Sequence, residues 1–375
     1  MAHQSVLSTK TDFKKTIAKI QSGVNESVAP GMVVGVFAPE LLESVFTFAH
    51  GKRAKVPDEL PLLNHTVFDV ASLTKVVVTT SLIGLLLDRG WIQLDDPLRN
   101  YLDDFPDPRV TIDQCLKHTA GFPAWRPFYE NFLRTSSVDE LIKRPFKERQ
   151  RAMRQWVLET PLSTSPGETC LYSDLSFLVL GFLIEELLQK PLDQCAETLI
   201  FRPMDLKNSF FKRTVGSFDQ LQDDQIAATE DCPWRGDVLQ GQVHDDNCWA
   251  MGGVGGHAGL FSTVFDLVSF FIQLNSGFLS RRVLRVLFER DERFGRARGW
   301  DCPSGEVSST GSFFSPQSIG HLGFTGVSLW FDPAQELLVV LLTNRVHPSR
   351  ENGLIKQFRP GLHDAVVEDL SAIKG

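Results

Sequence analysis

Strand-like sequence is confined to the two ends of this 375-residue chain, and that separation limits the folds open to it more than any other feature. Near the start, residues 32–37 and 44–49 read as strands after an amphipathic helix over 12–24, with turns at Pro39-Glu40 and His50-Gly51. Near the end, 326–332 and 336–343 carry the same signal before a C-terminal helix near 363–373. From Leu73 to about Ile200 the pattern is helical, including a charged helix over 138–157, with loops rich in Pro, Asp and Gly at 104–108, 120–127 and 163–168. A further helix is expected over 262–275, capped by Ser262 or Thr263. Strands at both ends with helices between them imply an α/β fold of the α+β kind. Its central antiparallel sheet is built from both termini, with flanking helices and a mostly helical insert. The expected division is 1–78 with 256–375 for the sheet and 79–255 for the insert, with the active cleft between them.

The insert begins beside Ser72-Leu73-Thr74-Lys75, which sets a hydroxyl and an amine one helical turn apart on one face. There an amine can activate the oxygen as a nucleophile. Ser-x-x-Lys also occurs at Ser209 to Lys212 and at Ser371 to Lys374, so context has to separate the three. Ser72 alone opens a run, 76–87, apolar enough for a buried helix, and that run stops at Asp88-Arg89-Gly90 with Gly90 as C-cap. Ser72 is then either an N-cap ahead of a solvated lysine or a nucleophile at the positive end of the helix. In the second reading burial lowers the pKa of Lys75 toward that of a useful base.

Two further constellations could complete a site. Each of the three tyrosines is followed two places later by Asn or Asp, at Tyr101, Tyr129 and Tyr172. Only Tyr172-Ser173-Asp174 follows a Pro-Gly turn and leads into an apolar helix, 175–190. A phenol held beside a lysine ammonium ionises more easily and can exchange protons as a general acid or base. The other constellation is Gly320-His321-Leu322-Gly323-Phe324-Thr325-Gly326, directly ahead of a strand. Glycines there let substrate approach the backbone, whose N–H groups can serve an oxyanion, and His321 could donate to substrate or to Tyr172.

In order and spacing these three motifs resemble those of the serine β-lactamase and penicillin-binding-protein superfamily, Ser-x-x-Lys, Tyr-x-Asn and Lys-Thr-Gly. The likeness covers most of the chain, including 110–122 and the Gly-rich approach 256–266, and is nearest the class C β-lactamase, family VIII esterase and D-aminopeptidase branch. The resemblance implies a β-lactamase/DD-peptidase-like fold and an acyl-enzyme on Ser72, with Lys75 and Tyr172 exchanging its proton. It also implies an oxyanion hole from the backbone N–H groups of Ser72 and Phe324, flanked by Gly323. Against the family pattern, Asp174 replaces Asn, His321 replaces Lys and Leu322 replaces Thr. Asp174 favours a charged Lys75 and shifts proton abstraction toward Tyr172. Losing Lys and Thr weakens anion recognition, so an esterase, peptidase or muropeptide amidase is expected ahead of a β-lactamase or D-Ala-D-Ala carboxypeptidase. A catalytically weak binding or regulatory module on the same fold is the alternative from another class.

Other chemistries find less support. A net charge of -8 with no basic block argues against nucleic acid. His244-Asp245-Asp246-Asn247 and His257 lack a metal spacing and are expected to form a loop-ordering network, so neither metal nor cofactor is expected. Gly253-Val254-Gly255 to Ala258, with Gly256 inside it, has no preceding strand for a dinucleotide fingerprint, and its glycines are expected to line the cleft. The six cysteines are scattered, as free thiols are. No apolar run reaches membrane length and residues 1–19 show no secretory pattern, so a cytoplasmic protein acting on small esters, peptides or muropeptides is expected. The irregular stretch 216–249 is expected to border the site.

Overall fold

The computed structural model describes residues 12–42, 44–214, 225–305 and 308–374, and in it one six-stranded sheet draws its strands from both ends of the chain. They are Gly31–Phe37 (β1), Phe46–Ala54 (β2), Leu60–Pro61 (β3), Ile319–Leu322 (β4), Ser328–Asp332 (β5) and Leu337–Thr343 (β6). Their order is β3-β2-β1-β6-β5-β4, antiparallel throughout. The seam between the two halves is β1 against β6, where Val34 lies opposite Leu341. The helices that bear on the site are Lys14–Asn25 (α1), Ser81–Asp88 (α2), Asp174–Leu188 (α3), Val264–Gln273 (α4) and Ile355–Lys374 (α5).

Side chains alternate across a strand, so the two faces of the sheet fill two cores. Met32, Val34 and Val36, with Val339 and Leu341, pack against Ile20 of α1 and Phe358, Leu362 and Val366 of α5. Val33, Leu338, Val340 and Leu342 point the other way, into a larger core shared with α3 and α4. Covered on both faces, β1 and β6 are continuous apolar runs, which is why they were readable as strands.

Several local expectations are corrected. His50-Gly51 is not a turn: β2 runs through it, with Gly51 opposite Gly31 at φ 95°, where a Cβ would lie 2.2 Å from the Pro30 carbonyl oxygen. The glycine permits close backbone approach within the strand. The charged helix of 138–157 is two helices, Val138–Lys143 and Phe146–Leu158, because Pro145 holds Arg144 in extended backbone. The last helix starts at Ile355 rather than near 363 and carries Pro360 within it. β4 has no counterpart among the expected strands, since pairing with β5 rather than any alternation of its own makes it one. Of the stretch 216–249, residues 216–224 lie outside the described residues, as do 1–11 of the N-terminal segment. The remainder of that stretch holds a small hairpin, Asp231–Cys232 with Asp237–Val238, and the start of the helix Asp246–Ala250.

Candidate active site

A tight elbow presents Ser72. Ala71 takes φ 47°, a left-handed conformation that costs a residue with a Cβ about 1–3 kcal/mol and persists only where its surroundings impose it. Here Asp69 Oδ1 accepts from the Ala71 N–H at 2.8 Å, and Thr74 Oγ1 donates to the Ala71 carbonyl at 2.6 Å. A π-helical segment, Lys75–Thr80, then continues into α2, and Gly90 follows its end at φ 68°. Ser72 is half-buried, whereas Lys75 is wholly buried.

The turn between β4 and β5 docks onto this elbow. Thr325 Oγ1 donates to the Asp69 carbonyl at 2.8 Å, and Arg345 Nε holds the Phe324 carbonyl at 2.8 Å. Gly323 is required at the contact: a Cβ there would lie 2.8 Å from the Val70 carbonyl oxygen and 2.3 Å from Val327 Cγ2. The exposed side chain of Phe324 stacks on His244, whose backbone N–H donates to Asp69 Oδ2 at 2.6 Å.

The tyrosine arrives from the opposite wall. Ser173 caps α3, and its N–H donates to His118 Nδ1 at 3.0 Å while its Oγ donates to the Pro123 carbonyl at 2.8 Å. Leu171 and Asp174 donate backbone N–H groups to the His118 and Ala124 carbonyls, each at 3.0 Å. The loop 118–124 thus clamps Tyr172-Ser173-Asp174 on both sides. On β4, His321 shares a face with Ile319, so it points toward the helical side, 6.0 Å from the Tyr172 ring between centroids. Leu322 packs toward the core under α1 and α5.

Ser72, Lys75, Tyr172, Asp174 and His321 therefore meet in one cluster. Lys75 Nζ donates to Ser72 Oγ at 2.9 Å, Asp174 Oδ1 at 2.7 Å and the His257 carbonyl at 3.2 Å. Three acceptors around one nitrogen suit an ammonium. Burial pushes the Lys75 pKa down, but Asp174 and Tyr172 more than offset it, so the pKa is raised above the ordinary 10.5. Burial alone would have made Lys75 a freer base; the raised pKa follows instead the expectation that Asp174 favours its charged form. Tyr172 is corrected: burial and the Asp174 charge raise its phenol above 10.0, although Lys75 and a hydrogen bond to Ser72 oppose them. His321 is held well below its usual range by burial, Lys75 and Arg296. Its Nδ1 lies 2.7 Å from the Leu322 carbonyl, which can only accept, so the proton is on Nδ1 and Nε2 is a bare acceptor without a partner. His321 therefore offers no donor to substrate or to Tyr172 through Nε2.

The other Ser-x-x-Lys spacings do other things. Ser209 Oγ bonds Asp266 and Ser262, each at 2.9 Å, and Lys374 pairs with Glu40. Gly256 does not line the cleft but packs on α3, where a Cβ would lie 2.2 Å from the Phe177 carbonyl oxygen. That close approach brings the His257 carbonyl to Lys75. His244 and His257 form two separate pairs, His244 with Glu230 at 3.3 Å and His257 with Asp245 at 3.0 Å. Asp245 also caps the helix Asp246–Ala250, and Asp246 joins Arg235 and Arg350. Sequence spacing assigned no role to His118, Asp69 or Arg296, whereas Asp245 belongs to the loop-ordering network that was expected. Asp69 stands three positions ahead of Ser72 and His118 lies in the family-like stretch 110–122, but only the fold shows what they hold. A cavity of about 1530 Å³ opens elsewhere, lined by Arg109, Arg154, Leu162 and Glu186 among others, and none of the cluster lines it.

Comparison with known proteins adds a family to this geometry. Residues 17–359 match the family model described as Beta-lactamase. A putative D-alanyl-D-alanine carboxypeptidase of Salmonella agona (strain SL483) is 34% identical over 333 residues, 78% of this chain and 74% of its own. One from Salmonella typhi is 33% identical over the same shares. Among solved structures, EstCE1, described as a hydrolase with promiscuous acyltransferase activity, aligns with a TM-score of 0.72 at 18% identity over 95% of this chain and 98% of its own. The penicillin binding protein from Bacillus halodurans aligns at 0.67 and 19% identity, over 93% and 98%. At those identities the two structures speak for the fold alone.

Proposed function

This chain belongs to the beta-lactamase family and is a serine hydrolase of that family, and on that footing we propose that it cleaves a small ester or amide through an acyl-enzyme on Ser72. The contact that carries the reading is buried Lys75, 2.9 Å from Ser72 Oγ and 2.7 Å from Asp174. Ser72 Oγ attacks the substrate carbonyl while its proton passes to the ionised phenol of Tyr172, which Lys75 stabilises by its charge. The backbone N–H groups of Ser72 and Phe324 receive the oxyanion. Tyr172 returns the proton to the leaving group, and water then repeats the sequence to free Ser72.

A neutral His321 and an apolar Leu322 favour esters, peptides or muropeptides over β-lactams, because neither side chain brings a charge to an anionic substrate. The names of the Salmonella relatives favour a second reading, a D-alanyl-D-alanine carboxypeptidase. A net charge of -8 speaks against nucleic acid as a partner, and among the described residues no helix is long and apolar enough to cross a membrane. Incubation with a fluorophosphonate probe, followed by intact mass and peptide mapping, should place one adduct on Ser72. Turnover of p-nitrophenyl esters should exceed that of nitrocefin. An unmodified chain would instead support a binding module, and the reverse substrate order would support a β-lactamase.

Asp174 makes a separate prediction. After burial, its charge raises the pKa of the Tyr172 phenol, so Asp174→Asn lets the phenolate that takes the Ser72 proton form at lower pH. The kcat/KM profile for a p-nitrophenyl ester should therefore move to lower pH. A profile that stays in place would show that Asp174 does not govern the ionisation of Tyr172.

A further inference from the structure

Arg345 is buried just past the end of β6, and its side chain spends its donors on other loops. Its Nε donates to the Phe324 carbonyl at 2.8 Å, and its Nη1 donates to the Arg350 and Asn352 carbonyls at 2.8 and 2.6 Å. All three acceptors are backbone oxygens, so these bonds organise loops rather than neutralise a carboxylate. The guanidinium also lies 4.5 Å from the centroid of the exposed Phe324 ring.

The backbone of the same residue grips the same turn. The Arg345 N–H donates to the Thr325 carbonyl at 3.2 Å, and Thr343 Oγ1 donates to that oxygen at 3.0 Å. The Arg345 stem lies close against Gly326, where a Cβ would come within 2.5 Å of its Cγ. Asn344, one position earlier, accepts from the Gly31 N–H at 3.0 Å and donates to the Lys52 and Arg53 carbonyls at 3.3 and 3.0 Å. Arg345 therefore ties residues 324 and 325 to the seam where β1, β2 and β6 meet. Among the described residues the Phe324 N–H donates to no backbone carbonyl, so its direction is set by the bonds around it.

We propose that Arg345 is a positioning residue for the oxyanion hole. It fixes the Phe324 backbone so that its N–H, with that of Ser72, meets the charge developing on the substrate carbonyl oxygen. It touches no reacting atom itself. A donor has to stand where the oxyanion will form, and a misplacement of about 1 Å can cost about a hundredfold in rate. The assignment rests on Ser72 as the acylated residue.

The test compares p-nitrophenyl acetate with its thionoacetate, in which sulfur, a weak hydrogen-bond acceptor, replaces the carbonyl oxygen. Wild-type kcat/KM should favour the ester by more than hydroxide alone favours it. Arg345→Met should lower kcat/KM for the ester roughly 10- to 100-fold and bring the ester-to-thionoester ratio down toward that of hydroxide. Arg345→Lys, which keeps the charge but not the fork, should fall between. A wild-type ratio no greater than that of hydroxide overturns the proposal. So does a loss of rate in Arg345→Met that falls equally on both substrates, the result that loosened packing alone would give. Should Arg345→Met not fold, Arg345→Lys decides: a lowered ratio supports the positioning role and an unchanged one overturns it. Fluorophosphonate labelling separates the two readings: no adduct on wild-type Ser72 sinks the acyl-enzyme, whereas a labelled Ser72 with an unchanged ratio sinks Arg345 alone.

Discussion

Lys75→Met is expected to lower kcat/KM toward p-nitrophenyl esters by roughly a thousandfold or more, an effect of the size seen when a member of a catalytic unit is removed. Methionine keeps most of the buried volume but cannot donate to Ser72, Asp174 and the His257 carbonyl. Tyr172 also loses the cation that opposes its raised pKa, so its phenolate becomes scarcer still. Some stability goes as well. Breaking a fully buried ion pair costs about 3–5 kcal/mol, and this pair should cost less because the Asp174 side chain is 19% exposed. Urea unfolding separates that loss from the catalytic one. Near-normal turnover in a folded Lys75→Met protein would remove Lys75 from the chemistry.

Tyr172→Phe should cost about 10²- to 10⁴-fold in acylation, the usual range for loss of a positioned general base. The pH profile makes the assignment specific. A phenol with a pKa above 10.0 is mostly protonated at neutral pH, and its phenolate fraction grows about tenfold per pH unit below the pKa. Wild-type kcat/KM should therefore climb with pH through the neutral and mildly alkaline range, with no plateau there. Tyr172→Phe should lose that climb along with the rate. If the variant acylates normally while Lys75→Met does not, the base is not Tyr172.

The local chemistry left clear traces along the chain. Ser72-x-x-Lys75 could be told from its two copies because only it opens an apolar run, and Tyr172 from the other tyrosines because only it precedes an apolar helix. Both signals come from one helix start, where capping, burial and periodicity act over a few residues. β4 and Arg296 left no such trace. A four-residue edge strand with a glycine and a histidine has no period of its own, and an arginine in a loop looks like any solvated charge until its neighbours are known.

What the sequence determined by itself was the kind of fold and the groups proposed to react: strands at both ends must pair with each other, and a hydroxyl and an amine one turn apart share a helix face whatever surrounds them. The sequence raised opposing influences on the charge of those groups, burial and Asp174, and the tertiary structure decided which prevails. Asp174 is 99 positions from Lys75 and its carboxylate lies 2.7 Å away, while the His257 carbonyl comes from 182 positions away. A proton's preference depends on burial and on every charge within a few ångströms, and those neighbours are assembled by folding rather than by order along the chain. Hence the amine that burial and Asp174 pull in opposite directions is a paired ammonium, and the histidine standing where the family has a lysine is neutral.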